Sequence, residues 1–171
     1  MKIWKLIALT LLAAAFVGLT GCGQSGDDKD EASAEKSYNW RFALEETKGG
    51  VQWAYAQKFK ELMAEKTDGK VNVEIFPYGS LGTSQDLTQQ VQNGALQFSF
   101  ASAGHVGSTI PEAQVFTLHF LFADEDEINE KIFAGNETVY DLLGEAYNEK
   151  GLELLAIIPE GWMVWSSNDP I

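Results

Sequence analysis

Between Tyr38 and Ala101 the apolar residues of this chain switch period repeatedly, and that alternation restricts the fold more than any other feature. Tyr38, Trp40, Phe42 and Leu44 occupy every second position, the spacing of a strand with one buried side. From Val51 to Lys66, Trp53, Ala54, Ala56, Phe59, Leu62 and Met63 recur at helical spacing, with lysines and glutamates on the other side. Gly69 is placed to end that helix in the left-handed region. Val71, Val73, Ile75 and Phe76 restore a strand pattern, which Pro77-Tyr78-Gly79 stops. Thr83 or Ser84 can cap a second helix carrying Leu87 and Val91, and Gly94 closes it. Leu96 to Ala101 then reads as a short buried strand, with Gly104 and Gly107 letting the chain turn beyond it.

Past Pro111 the apolar blocks Val115-Phe116-Thr117-Leu118 and Phe120-Leu121-Phe122 precede the acidic run Asp124 to Glu127, whose carboxylates favour a helix start. Another helical run from Thr138 to Lys150 leads to a predicted strand at Leu152 to Ile158 and a strand-like run, Trp162 to Trp165. Strands alternating with helices imply an α/β fold with a mostly parallel sheet flanked by helices. In such folds ligands approach beyond the carboxyl ends of the strands, here the loops after Leu44, Phe76, Ala101 and Ile158.

The amino-terminal end has a different character. Lys2 and Lys5 precede an apolar stretch from Leu6 to Thr20, the pattern of an export signal, too short to span a bilayer comfortably as a permanent helix. Leu19-Thr20-Gly21-Cys22 closes it and holds the only cysteine of the chain. The block resembles the bacterial lipoprotein signal, which implies cleavage before Cys22 and acylation of that residue. Each buried acyl CH₂ contributes about 0.8 kcal/mol, so several chains on one residue make a firm anchor in the lipid bilayer. Residues 24–36, QSGDDKDEASAEK, contain no large apolar side chain and read as a flexible acidic tether. The expected organisation is a signal peptide over 1–21, a tether over 22–37 and a folded lobe over 38–171, held at the extracytoplasmic face of the cell membrane.

Loss of residues 1–21 removes two lysines and leaves 10 basic against 25 acidic residues, a formal charge near −15. Such a surface repels phosphate backbones, so nucleic acid is not an expected partner. One cysteine allows neither an internal disulfide nor a paired-thiol metal motif, and the two histidines have no HExxH arrangement. No metal or cofactor is expected. GxSxG and GxxxxGK[ST] turns are absent, and the adjacent carboxylates do not specify an acid and base pair, so an enzyme is not expected either.

The segment from Phe76 to Gly94, FPYGSLGTSQDLTQQVQNG, resembles the matching region of the extracytoplasmic solute receptors of tripartite ATP-independent periplasmic (TRAP) transporters. The order of features also matches: an opening strand and helix, the PYGSLG turn, a Gly-ended helix, a Phe- and Ala-rich strand, then Pro111 with Val115-Phe116 before an acidic helix. The resemblance covers nearly all of Tyr38 to Ile171. It implies a periplasmic-binding-protein-like lobe that captures a small organic anion such as a carboxylate and delivers it to a TRAP-type membrane permease. It also implies a second lobe, largely missing from this chain, because Asn168 to Ile171 matches the point where related chains enter it. The alternative is a truncated, non-binding receptor fragment or a lipoprotein interaction module. The arginine that pairs with carboxylates in many members falls beyond Ile171; Arg41, the one arginine here, sits within the first strand. A basic residue often present near position 163 is replaced by Met163, and an acid carried by some members corresponds to Ser102.

Individual candidates follow from the loops. Glu45 and Glu46, after the first strand, either accept hydrogen bonds from a solute or are solvated loop charges. Trp53 and Trp162 can offer flat faces to a ligand, each contact of order 1 kcal/mol, although Trp53 fits a helix core equally well. Ser102 supplies a hydroxyl at a cleft position, and His105, between Gly104 and Gly107, can bond a carboxylate or remain a loop histidine satisfied locally. Gln85 and Asp86 follow the Leu81-Gly82 turn, where Asp86 also suits a helix start, and His119 between Leu118 and Phe120 reads as structural.

Overall fold

The period-two segments pair with one another in parallel, and the helical segments pack on both sides of them. A computed structural model describes residues 36–161 and 166–169, which belong to one compact unit. The proposed signal segment, Cys22 and Trp162 lie outside the described residues. Strand β1, Tyr38–Ala43, is followed by α1, Val51–Lys66, and by β2, Val71–Phe76. Helix α2, Ser84–Gln92, leads to β3, Phe98–Ser99, giving a parallel sheet of order β2-β1-β3. The β1–β2 register runs from Tyr38 opposite Val71 to Ala43 opposite Phe76, while Phe42 and Ala43 face Phe98 and Ser99 on the other side.

Alternation along β1 sends its side chains to two cores. Phe42 and Leu44 pack with Val71, Val73 and Ala56 of α1, surrounded by Trp40, Trp53, Phe59, Met63, Ile75, Phe98 and Phe100. The intervening Ala43 meets Leu87 of α2 and Leu96, flanked by Phe76, Leu81 and Val91. Thus α1 and α2 cover opposite faces of the sheet. Phe42 organises the first core: its ring centroid lies 5.3 Å from Phe100, 5.6 Å from Phe59 and 5.7 Å from Phe98. Arg41 is held across β1, with Nη1 donating to the Ala95 carbonyl at 3.1 Å and its guanidinium 5.0 Å from the Phe76 ring centroid.

The second half is helical among the described residues and packs against α2 through Val91. Helix α3, Ala103–Val106, and a 3₁₀ segment, Pro111–Thr117, precede α4, Asp126–Phe133, and α5, Glu137–Asn148. Val106, Ile110, Ala113 and Leu152 form a third core with Val91, Ala146 and Tyr147 around it, and burial raises the Tyr147 phenol above its ordinary pKa. Asn129 of α4, itself buried, exchanges two hydrogen bonds with the backbone of Ala123.

Two expected strands differ from the structure. Leu96–Ala101 contracts to Phe98–Ser99, although Gln97 N–H and Phe100 N–H still donate to the Arg41 and Ala43 carbonyls. Leu152–Ile158 forms no strand among the described residues. A strand needs a ladder partner, whereas Ile157 N–H donates to the Tyr140 hydroxyl at 2.8 Å and is held by a side chain of α5. The lobe is α/β with a parallel sheet flanked by helices, as the alternation predicts.

Truncating Phe42 removes the ring shared by β1, α1 and β3. Phe42→Ala is expected to cost roughly 3–5 kcal/mol in urea unfolding, while Leu142→Ala, at an exposed position of α5, should stay within about 0.5 kcal/mol. Equal effects at the two positions would contradict this core assignment.

Candidate functional site

Strand β1 lies between β2 and β3, so the connection from β2 to β3 passes over it, and because all three strands are parallel the loops after β1, β2 and β3 meet at one end of the sheet. There Glu45, Tyr78, Thr83, Ser84, Gln85 and His105 line an open cleft of about 350 Å³. A second concavity of about 430 Å³ runs along α5, but Asp141, Glu145 and Glu153 line it and disfavour an anionic occupant.

The loop after β1 is shaped by Gln52, a nearly buried polar residue in the first turn of α1. Its Oε1 accepts from Glu45 N–H at 2.8 Å, its Nε2 donates to Glu160, and its own N–H donates to Glu46 Oε2 at 2.9 Å. Glu46 therefore caps α1 in place of Gly50, which has no side chain to do so, and a carboxylate suits the positive end of a helix. A Cβ added at Gly50 would run into the Glu46 carboxylate, so a side chain there would displace the cap.

The Glu45 side chain turns inward and is 6% exposed. Its Oε2 accepts from Ser102 N–H at 2.8 Å, which ties the end of β1 to the start of α3. The Ser102 hydroxyl lies 2.7 Å from His105 Nδ1, and that nitrogen is 3.4 Å from each Glu45 carboxylate oxygen. Glu45 Oε1 has no well-formed hydrogen bond among the described residues and has the His105 imidazole beside it. The His105 ring is itself 53% exposed and faces the cleft.

The opposite rim comes from the loop between β2 and α2. Tyr78 N–H donates to the Glu46 carbonyl at 2.9 Å, joining this loop to the one after β1. Thr83 and Asp86 form a reciprocal cap, with Thr83 N–H and Oγ1 each 2.7 Å from Asp86 Oδ2. These bonds, above all the one from the backbone, hold the Asp86 carboxyl below its ordinary pKa. Gly82 makes the turn possible at φ 123°, where a Cβ would also meet the Asp86 carboxylate at 2.8 Å.

Of the residues singled out from sequence, Glu45, Ser102 and His105 come together. Glu46 lies behind them, occupied by α1. Trp53 packs against the first core with Lys48 Nζ 5.5 Å from its ring centroid, away from the cleft lining. Trp162 falls outside the described residues. Tyr78 lies in the loop after Phe76, one of the strand-end loops expected at the cleft; Thr83 and Ser84 were not anticipated as lining, and Gln52 was not anticipated at all. Tyr78 carried a signal in its place within a loop at a strand end; Gln52 carried one in being the polar residue between Val51 and Trp53. Among the described residues no cluster of three His, Cys, Asp or Glu could hold a metal ion, and no helix is long and apolar enough to cross a membrane.

Residues 42–171 match the family described as bacterial extracellular solute-binding protein, family 7 (DctP). The ectoine/5-hydroxyectoine-binding periplasmic protein UehA of Ruegeria pomeroyi is 39% identical over 139 residues, covering 81% of this chain and 40% of the relative. The ectoine-binding periplasmic protein TeaA of Halomonas elongata is 35% identical over 171 residues, covering 100% of this chain and 46% of the relative. An open, unliganded TRAP periplasmic solute-binding protein from Marinobacter aquaeolei superposes with a TM-score of 0.71 at 42% identity, over 78% of this chain and 43% of that one. The chain spans less than half the length of each of these relatives.

The cap at the cleft rim has a pH signature. Because folding lowers the Asp86 pKa, its stabilising contribution is complete above the unfolded carboxylate range and is lost as pH falls through the lower folded value. Asp86→Asn should therefore lower the urea midpoint at neutral pH, with the gap to wild type closing as pH falls below the ordinary carboxylate range. A gap that does not change with pH would show that the carboxylate charge is not what the cap uses.

Proposed function

Since this chain belongs to family 7 of the bacterial extracellular solute-binding proteins, whose members bind solutes rather than transform them, we propose that it forms one wall of an extracytoplasmic solute receptor. The receptor captures a small organic solute bearing a carboxylate and delivers it to a membrane permease of the TRAP type. The cleft at the carboxyl ends of the strands, where Glu45, Tyr78, Gln85 and His105 converge, is the observation that carries this reading. The remainder of the cleft would come from sequence equivalent to the part of the relatives that this chain does not span. A solute enclosed from one side only keeps much of its charge in water, so useful affinity depends on that second wall.

Two relatives are named for ectoine, a small zwitterion with a carboxylate and a cationic amidine. Ectoine is therefore the first solute to test, with succinate and glucuronate as a simple dicarboxylate and a sugar acid. The reading also includes export through residues 1–21, acylation of Cys22 and a tether over 22–37 that lets the lobe reach the permease.

Calorimetry with these three solutes, carried into the roughly millimolar range that a single wall leaves, tests the receptor reading: weak saturable binding of one and not the others is expected, and no binding of any in that range would remove it. For the anchor, labelled fatty acid should enter the wild-type protein and not Cys22→Ser, which should leave the membrane fraction. Membrane retention of Cys22→Ser would remove the lipid anchor from the reading.

A further inference from the structure

On the reading that this cleft takes a carboxylate-bearing solute, we infer that His105 is the group on this wall that meets the carboxylate, with Glu45 and Ser102 positioning its ring. The nearby cations of the sheet are engaged elsewhere. Arg41 is bonded to Ala95 and lies over Phe76, and Lys48 lies over Trp53; neither lines the cleft. Of the described lining residues, Thr83, Ser84 and Gln85 are neutral, Tyr78 is a phenol and Glu45 an acid, which leaves His105 as the one among them that can carry positive charge.

Its orientation suits that role. Nδ1 points inward at the Ser102 hydroxyl and the two Glu45 oxygens, while Nε2 has no hydrogen-bond partner among the described residues and belongs to a half-exposed ring. In the protonated ring Nδ1–H is directed at Ser102 and Glu45, and Nε2–H is available to a solute oxygen. Glu45, nearly buried, balances the imidazolium charge, and its bond to Ser102 N–H fixes the turn that carries His105. The contact made by this wall therefore depends on a proton that an arginine would not lose.

The other titratable groups around the ring do not supply this switch. Glu45 comes from the loop after β1 and Tyr78 from the loop after β2; Asp86 of α2 is committed to Thr83, and Glu46 to the start of α1. Protonating Glu45 instead would remove the balancing charge and oppose binding at low pH.

The test is calorimetry of wild type, His105→Gln and Glu45→Gln with ectoine, succinate and glucuronate at about pH 5.5 and 8, where imidazoles change charge. Wild type should bind its solute roughly tenfold or more tightly at the lower pH, as loss of a charge-assisted hydrogen bond implies. His105→Gln should remove that dependence and bind weakly at both values. Glu45→Gln keeps an acceptor for Ser102 N–H but not the charge, and should flatten the profile with unchanged circular dichroism. Should Glu45→Gln fail to fold, the exposed His105→Gln substitution decides alone. Binding that ignores both pH and His105→Gln overturns the assignment and leaves the receptor reading standing; no binding of any solute to wild type, carried into the roughly millimolar range that one wall leaves, removes both.

Discussion

Parallel pairing of β1 with both of its neighbours is the constraint on which the rest of the lobe depends. A parallel neighbour cannot be reached by a tight turn, so the chain must cross over the sheet twice, once through α1 and once through α2. Those crossovers cover opposite faces and bury both sides of β1, with Phe42 and Leu44 in one core and Ala43 in the other. They also bring every strand out at the same end. Glu45, Tyr78 and Ser102 become neighbours because each follows the carboxyl end of a parallel strand.

What stands at that end is a polar network with few spare groups. Gln52 holds the backbone of Glu45, Glu46 holds the start of α1, and Glu45 holds the start of α3. A carboxylate as sheltered as that of Glu45 is costly unless hydrogen bonds compensate it, which gives the Ser102 N–H bond a structural reason, and the His105 ring faces the same carboxylate. The same arrangement leaves the outward side of the imidazole to the cleft. One side chain thus both meets the buried carboxylate and lines the cleft.

Much of the lobe was legible because its signals are local. The apolar period placed β1, α1 and β2, and Thr83 marked the start of α2. Gly69 takes positive φ at the end of α1, as its position implied. The candidate site was legible in part: loops at strand ends directed attention to Glu45, Ser102 and His105, but the same rule included Glu46, whose carboxylate serves α1. Leu152 to Ile158 had the composition of a strand and no ladder partner, and composition carries no information about partners. Gln52 looked like a polar residue on a helix because its three hydrogen bonds reach separate parts of the chain.

By itself the sequence determined the alternation of strands and helices, the turns that punctuate it, the acidic surface and the family pattern from Phe76 to Gly94. These depend on the spacing of side chains along the backbone and on conformations open to single residues, which neighbouring positions suffice to specify. Tertiary structure decided which carboxylate turns inward, that a glutamine positions it, and that a histidine 60 residues away faces it. Those outcomes rest on distances between loops separated by whole crossovers, and these exist only once the parallel sheet has brought its strand ends together.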